Sequence, residues 1–459
     1  MFWRDNVTYD SASGSLVVGG ENFALKPSLS GIRVIIAGDS RTQYNVEQTG
    51  ANITNRARWW NWLNALLGQR FELVNNAGVA GDTASGLWNR IKTSNLGGGF
   101  GANTSPYVQS SPGANIPCEI VIVNIGYNDL LGNGSTAAAT FVYTKQICDY
   151  IRASGKMLIL CTVAPPNSAA SGYSTARCAE LVKYNRLLRE YAQSNSGVYL
   201  ADFFAAMVSP VSTVVEALAT DMIDGTVHEN NRGGYKEAKV LQALLQSITA
   251  PRQGLLPTCN AATSALDATI KQLEVNGLLN GSVAISVSGY SGNAAGSNLA
   301  NANFVRGGSP TVVLSAVART DEYGQNTKAV ITFTAAGESI EHRRPSYHAQ
   351  AEAGAEYYAV CEVSYTGSGG AALQASDNLR GIQLSLQYND GTTNTFTYDM
   401  MPKTLDLSLS GSETLVLRTP KLKIPSGGTP TTLRANLAVV ANGAGTVEVI
   451  FGRFALYKV

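Results

Sequence analysis

Neither sign of charge prevails in this chain. It carries 34 Lys and Arg against 33 Asp and Glu, for a net charge of +1, and only 15% of its residues are charged. A nucleic-acid binder or a protein held on anionic lipid needs a basic stripe or cluster, and none is present. No apolar run is longer than a strand, so no transmembrane helix is expected. The N-terminal stretch from Met1 to Asp10 lacks an apolar core followed by a small-residue cleavage site, so no secretory signal is expected either. The six cysteines (118, 148, 161, 178, 259 and 361) form no C-x-x-C pair, which argues against a zinc ribbon or a redox motif. Buried free thiols are the expectation for them. Histidine is scarcer still: there are three, and His228 alone falls within the first 341 residues.

The length, 459 residues, is too great for one ordinary core, so two domains are expected. Residues 1–30 are polar and turn-rich and read as an N-terminal arm. From 31 to 250 short apolar strands (32–37, 71–75, 119–125, 156–162, 198–201) alternate with helical patterns (57–69, 83–91, 136–153, 175–195, 233–248). That alternation predicts an α/β fold, a flavodoxin-like three-layer α/β/α sandwich around a parallel sheet. Pro251 and Pro257 close the region. Residues 251–280 read as a linker in which Leu266, Ile270 and Leu273 give a short helix over 261–279. Beyond, 281–459 holds many short alternating strands separated by Gly, Ser, Asn and Asp, which predicts an all-β jelly roll or β-sandwich.

Chemistry concentrates at the ends of the early strands. Gly38-Asp39-Ser40 follows the first one, where an open α/β sheet places its reactive groups. Gly81, after the second, lets backbone approach a substrate closely, and its N–H can point at an oxyanion. Asn128, in Gly126-Tyr127-Asn128-Asp129 after the third, offers a side-chain N–H to the same oxyanion, and Asp129 is expected to hold the loop. His228 comes after the last strand, with Asp224 just before it. A serine, one histidine and a nearby acid are the minimum parts of a hydrolytic triad. Each block alone reads equally as a cap or turn. Their order at successive strand ends gives them weight.

These blocks resemble the SGNH (GDSL-type) hydrolase family over residues 31–250. The resemblance implies Ser40 as nucleophile, His228 as base and Asp224 as the acid. It also implies an oxyanion hole made of the Ser40 and Gly81 N–H groups and the Asn128 side chain, with no metal or cofactor. His228, Asn230, Gly234 and Tyr235 are similar to the family's H-x-N-x-x-G-Y run, with one residue added. The family's acid stands three residues before its histidine. Here Gly225 occupies that place and Asp224 is four before, with Asp221 in reserve. Arg41 replaces the common leucine after the serine, either as a cation near substrate or as a surface residue.

The second domain is similar to jelly-roll carbohydrate-binding modules. All five Trp (3, 59, 60, 62 and 88) lie outside it, so any sugar platform there would be built from its nine Tyr. The alternative is a structural or trimer-forming module that makes the chain a homotrimer. His342, Arg343, Arg344 and His348 read as a solvated basic loop. The combination resembles bacteriophage tail-spike and tail-fibre deacetylases. It implies an acetylesterase acting on an acetylated polysaccharide or glycan, in an extracellular or virion tail-associated setting, with no nucleic-acid partner and no membrane insertion. The rival readings are a non-catalytic glycan-binding adhesin and a lipase or thioesterase for longer acyl chains.

Overall fold

The computed structural model describes residues 7–10, 15–18, 21–23, 31–49, 52–94, 118–223, 226–251, 271–272, 294–295, 303–318, 325–343, 349, 351–367, 379–392, 394–401, 413–441 and 443–459. In chain order the first part holds β1 (Val7–Asp10), β2 (Ser15–Val18), β3 (Glu21–Phe23), β4 (Ile32–Gly38), α1 (Ser40–Gln43), β5 (Val46–Thr49) and β6 (Asn52–Arg56). There follow α2 (Trp59–Leu66), β7 (Phe71–Gly78), α3 (Ala84–Ser94), β8 (Ile120–Asn124), α4 (Ala137–Ala153) and β9 (Met157–Cys161). The α/β part ends with α5 (Thr175–Ser194), β10 (Val198–Ala201), α6 (Phe203–Met207) and α7 (Asn231–Ile248).

Strands β10-β9-β8-β4-β7 form a five-stranded sheet, parallel throughout. The first strand lies between the second and third, the flavodoxin-like order with its crevice at the carboxyl ends. Strand β4 shows why the sheet has three layers. Val34 and Ile36 enter one apolar cluster with α2 and α7, whereas Ile35 and Ala37 enter another with α3, α4 and α5. Side chains that alternate across a strand cover both faces only if both alternate sets are apolar. Helix α2 is apolar nearly all round (Trp59, Trp60 and Trp62 are buried), because α7 and the second domain enclose it as well as the sheet.

The second part holds β11 (Lys271–Gln272), β12 (Ala294–Ala295), β13 (Asn303–Gly307), β14 (Thr311–Ala318), β15 (Gln325–Phe333), β16 (Ser339–Arg343) and β17 (Glu356–Gly367). It continues with β18 (Leu379–Asn389), β19 (Asn394–Met401), β20 (Glu413–Arg418), β21 (Leu422–Lys423), β22 (Thr432–Ala441) and β23 (Gly445–Lys458). They make two mostly antiparallel sheets, β12-β14-β15-β23-β17-β20 and β13-β16-β22-β18-β19-β6-β5, a β-sandwich. The last two strands of the second sheet belong to the α/β part. Strand β6 pairs in parallel with β19, Ile53 opposite Thr397 and Thr54 opposite Tyr398. The junction is sealed by Asn55 donating to Asp399 (3.0 Å), Gln69 donating to the Val416 carbonyl (2.7 Å) and an Arg418–Glu72 ion pair at 2.6 Å. A cavity of about 270 Å³ remains there, lined in part by Asn55, Asn61, Glu72, Asp399, Arg418 and Lys421.

Three expectations change. Within the arm 1–30, β1, β2 and β3 form an antiparallel meander. Of the helix expected over 261–279, only Lys271 and Gln272 are described, and they pair as strand with Lys458 and Tyr457. His342 is not in a solvated loop. It lies on β16 with no exposure, because the strand's alternation turns Ile340 and His342 inward together. Arg344 and His348 lie outside the described residues, as do Cys259 and the strand expected over 283–287. The five described cysteines are buried, and none forms a disulfide with another described residue.

Candidate active site

Ser40 is the first residue of α1, reached by a sharp turn from β4. Asp39 caps the turn by accepting the Arg41 N–H at 3.0 Å. Gly38 must be glycine: a Cβ there would stand 2.0 Å from the Asn124 carbonyl oxygen on the neighbouring strand. The Ser40 Oγ lies 2.8 Å from Nε2 of His228, although the two are 188 residues apart in sequence. The imidazole also meets the edge of Tyr44, ring centroids 5.2 Å apart.

The histidine loop is a small hairpin. Ile223 donates to the His228 carbonyl (2.7 Å), and Asn230 donates to the Asp221 carbonyl (3.0 Å). The Asn230 side chain then caps α7 through the Arg232 and Gly233 N–H groups. Gly234 lets α7 approach α2, since a Cβ there would meet the Arg58 backbone at 2.9 Å. Asp224 and Gly225 lie outside the described residues. Asp221 is fully buried, and its two oxygens meet Arg232 (3.1 Å) and Lys236 on α7. The reserve acid is thus engaged with the helix.

The oxyanion side is a turn held from three directions. Val79 donates to the Gly38 carbonyl at 3.0 Å, and Ala80 donates to the Gln43 side chain at 2.5 Å. Asn128 donates one side-chain N–H to the Asp82 carbonyl (2.9 Å), and Asp129 accepts the Ala84 N–H (2.9 Å). Gly81 takes φ +78°, which places its N–H at the apex of the turn at no steric cost. Among the described residues neither the Ser40 nor the Gly81 N–H has a partner. Asn128 keeps its second amide N–H. It begins a π-helical turn, Asn128–Gly132, a local widening common at functional sites. Replacing Asn128 by alanine is expected to lower kcat by about 10²–10³ if it donates to an oxyanion. Steady-state kinetics on an ester checks this, and unchanged turnover would remove it from the site.

Behind Ser40 lies a buried charge cluster that the sequence did not signal. Asp39, Arg41, Arg58, Glu229 and Glu237 are each at most 2% exposed. Burial pushes the Asp39 carboxyl up to about 7 against the pull of Arg41. Glu237 is held well above the usual carboxylate range by burial and then by Glu229. Arg41 is therefore neither a surface residue nor a free cation in the cleft.

A parallel-sheet domain with a serine at the end of its first strand and a histidine in reach has the arrangement of a serine-hydrolase site. The chain matches the GDSL-like Lipase/Acylhydrolase family over residues 36–235, and that segment is a domain of this family. Among solved structures, a GDSL-like lipase from Bacteroides thetaiotaomicron VPI-5482 is 16% identical, over 47% of this chain and 89% of that one, TM-score 0.34. An acetyl xylan esterase is 18% identical over 47% and 100%, TM-score 0.32. A carbohydrate esterase family 3 protein from Talaromyces cellulolyticus is 16% identical over 47% and 97%, TM-score 0.33. Comparison with curated proteins gives no match.

Proposed function

We propose that this esterase domain removes O-acetyl groups from a polysaccharide. Ser40 Oγ attacks the acetyl carbonyl carbon while His228 Nε2 takes its proton. The Ser40 and Gly81 N–H groups and the Asn128 amide hold the oxyanion. His228 then returns the proton to the departing sugar oxygen, leaving acetyl on Ser40. Water, deprotonated by the same imidazole, releases acetate and restores the serine. The 2.8 Å Ser40–His228 contact beside the pinned turn carries the reading. The described residues flanking Ser40 on the oxyanion side (Gln43, Ala80, Gly81, Asp82, Asn128) are small or polar, which suits an acetyl group better than a long chain. The amides and charged groups of the interdomain cavity are groups that hold sugar hydroxyls.

We assign Asp224 to the imidazole from its place in the sequence, four residues before His228. Its replacement by alanine is expected to lower kcat by about 10⁴, the cost of losing the correct tautomer. An effect under about tenfold would show that the histidine is oriented otherwise. The test of the whole reading is hydrolysis of p-nitrophenyl acetate against p-nitrophenyl octanoate. Preference for acetate supports the acetylesterase and justifies a screen of acetylated polysaccharides. Preference for octanoate points to a lipase, and turnover of neither leaves the adhesin reading.

A further inference from the structure

We infer that Arg41 is a positioning residue that holds the nucleophile turn, the histidine loop and the oxyanion block in register. This deepens the reading above and rests on it. Arg41 follows Ser40 directly and is 2% exposed. One arm of its guanidinium donates to the Val227 carbonyl at 2.8 Å, one residue before His228. The other donates to the Ala164 carbonyl at 2.7 Å, just beyond β9. Its carbon sits 4.4 Å from the centre of the Tyr127 ring, one residue before Asn128. Its own carbonyl accepts the Trp59 indole N–H at 3.2 Å and so fixes α1 on α2.

A single residue thus adjoins Ser40 and touches the chain neighbours of His228 and Asn128. Only a planar fork of always-charged donors can do this. Lysine offers a point charge that cannot span two carbonyls and stack on a ring at once. A leucine here would remove the donor from both carbonyls, one of them buried. The guanidinium is buried in a cluster of acidic and basic groups: Asp39 from the β4 turn and Glu237 from α7 feel its charge, and Glu229 and Arg58 lie in the same cluster.

The experiment compares wild type with Arg41→Leu and Arg41→Lys. On p-nitrophenyl acetate the leucine variant is expected to lose about 10² in kcat with KM little changed, the effect of misplacing reacting groups by about 1 Å. The lysine variant should recover part of that loss. Thermal melting identifies any unfolded fraction, and an activity loss that only tracks that fraction overturns the inference. The second readout is independent of turnover. With three histidines in the chain, the His228 imidazole C–H signal can be followed by NMR through a pH titration. In Arg41→Leu it should move and titrate at a different pH, as the contact with Ser40 is lost. A folded leucine variant with wild-type kcat and an unmoved His228 signal overturns the inference. If the wild type hydrolyses no ester, the esterase reading falls, and the His228 signal still decides the role of Arg41.

Discussion

Replacing Ser40 by alanine is expected to lower kcat on p-nitrophenyl acetate by about 10⁶, and replacing His228 by alanine should cost about as much. The two changes together should cost no more than either alone. The reason is that the hydroxyl and imidazole act as one device: a serine without a base is a poor nucleophile, and a base without the serine has nothing to activate. The residual rate in all three variants would come from the turn at Gly81 and from Asn128, which neither change disturbs. Single-turnover kinetics on the two single variants and the double variant checks this. Losses that add in the logarithm would mean that Ser40 and His228 act in separate steps, and the 2.8 Å contact would lose its catalytic meaning.

The second large effect is on stability and comes from His342. Its ring is stacked on Phe451 (5.0 Å) and edge-on to Phe304 (4.9 Å), with Phe454 nearby at 6.3 Å. Neither nitrogen has a hydrogen-bond partner among the described residues. Burial without a partner disfavours the cation and pulls its pKa from 6.5 down to about 3. The unfolded chain therefore binds a proton between these values and the folded one does not. The stability is complete above the unfolded pKa and is lost as pH falls from about 6.5 towards 3. The loss is about 2 kcal/mol at about pH 5 and about 4 kcal/mol at about pH 3. His342→Phe should remove this component. Urea denaturation followed by tyrosine near-UV circular dichroism, at about pH 7 and about pH 5, measures it as the difference between wild type and variant. An equal pH response in both would show that the ring is hydrated or partnered.

His342 also shows where a sequence misleads. Its neighbours Arg343, Arg344 and His348 suggest a basic loop. The alternation Ser339, Ile340, Glu341, His342, Arg343 was a strand signal, masked because an imidazole counts as polar. The five strands of the parallel sheet were legible because each is a short apolar run, covered on both faces and ended by turn residues. The hairpin Val46–Arg56 was not. It is polar, and the strand that completes its pairing, β19, lies some 340 residues further on. Periodicity within a window carries no information about such a partner. In the candidate site, the blocks that hold Ser40, Gly81, Asn128 and His228 were legible as candidates from their order along the chain. Arg58 and Glu237 could not, since a charged residue in a helical pattern normally faces water. Arg41 stood out in sequence only as a departure, and its burial is a product of the fold.

The hairpin has a mechanical consequence. Only Tyr44 and Asn45 separate α1 from β5, and Tyr44 touches the imidazole. From β5 the chain turns directly into β6, whose partner is β19 of the sandwich. A pull on the sandwich, as from a tethered polymer, is therefore carried by backbone hydrogen bonds to within a few residues of Ser40. Excising the sandwich would strip β6 of its partner β19 and leave an open strand edge on the hairpin that follows α1. Two units that follow one another in sequence are, in their load path, one body.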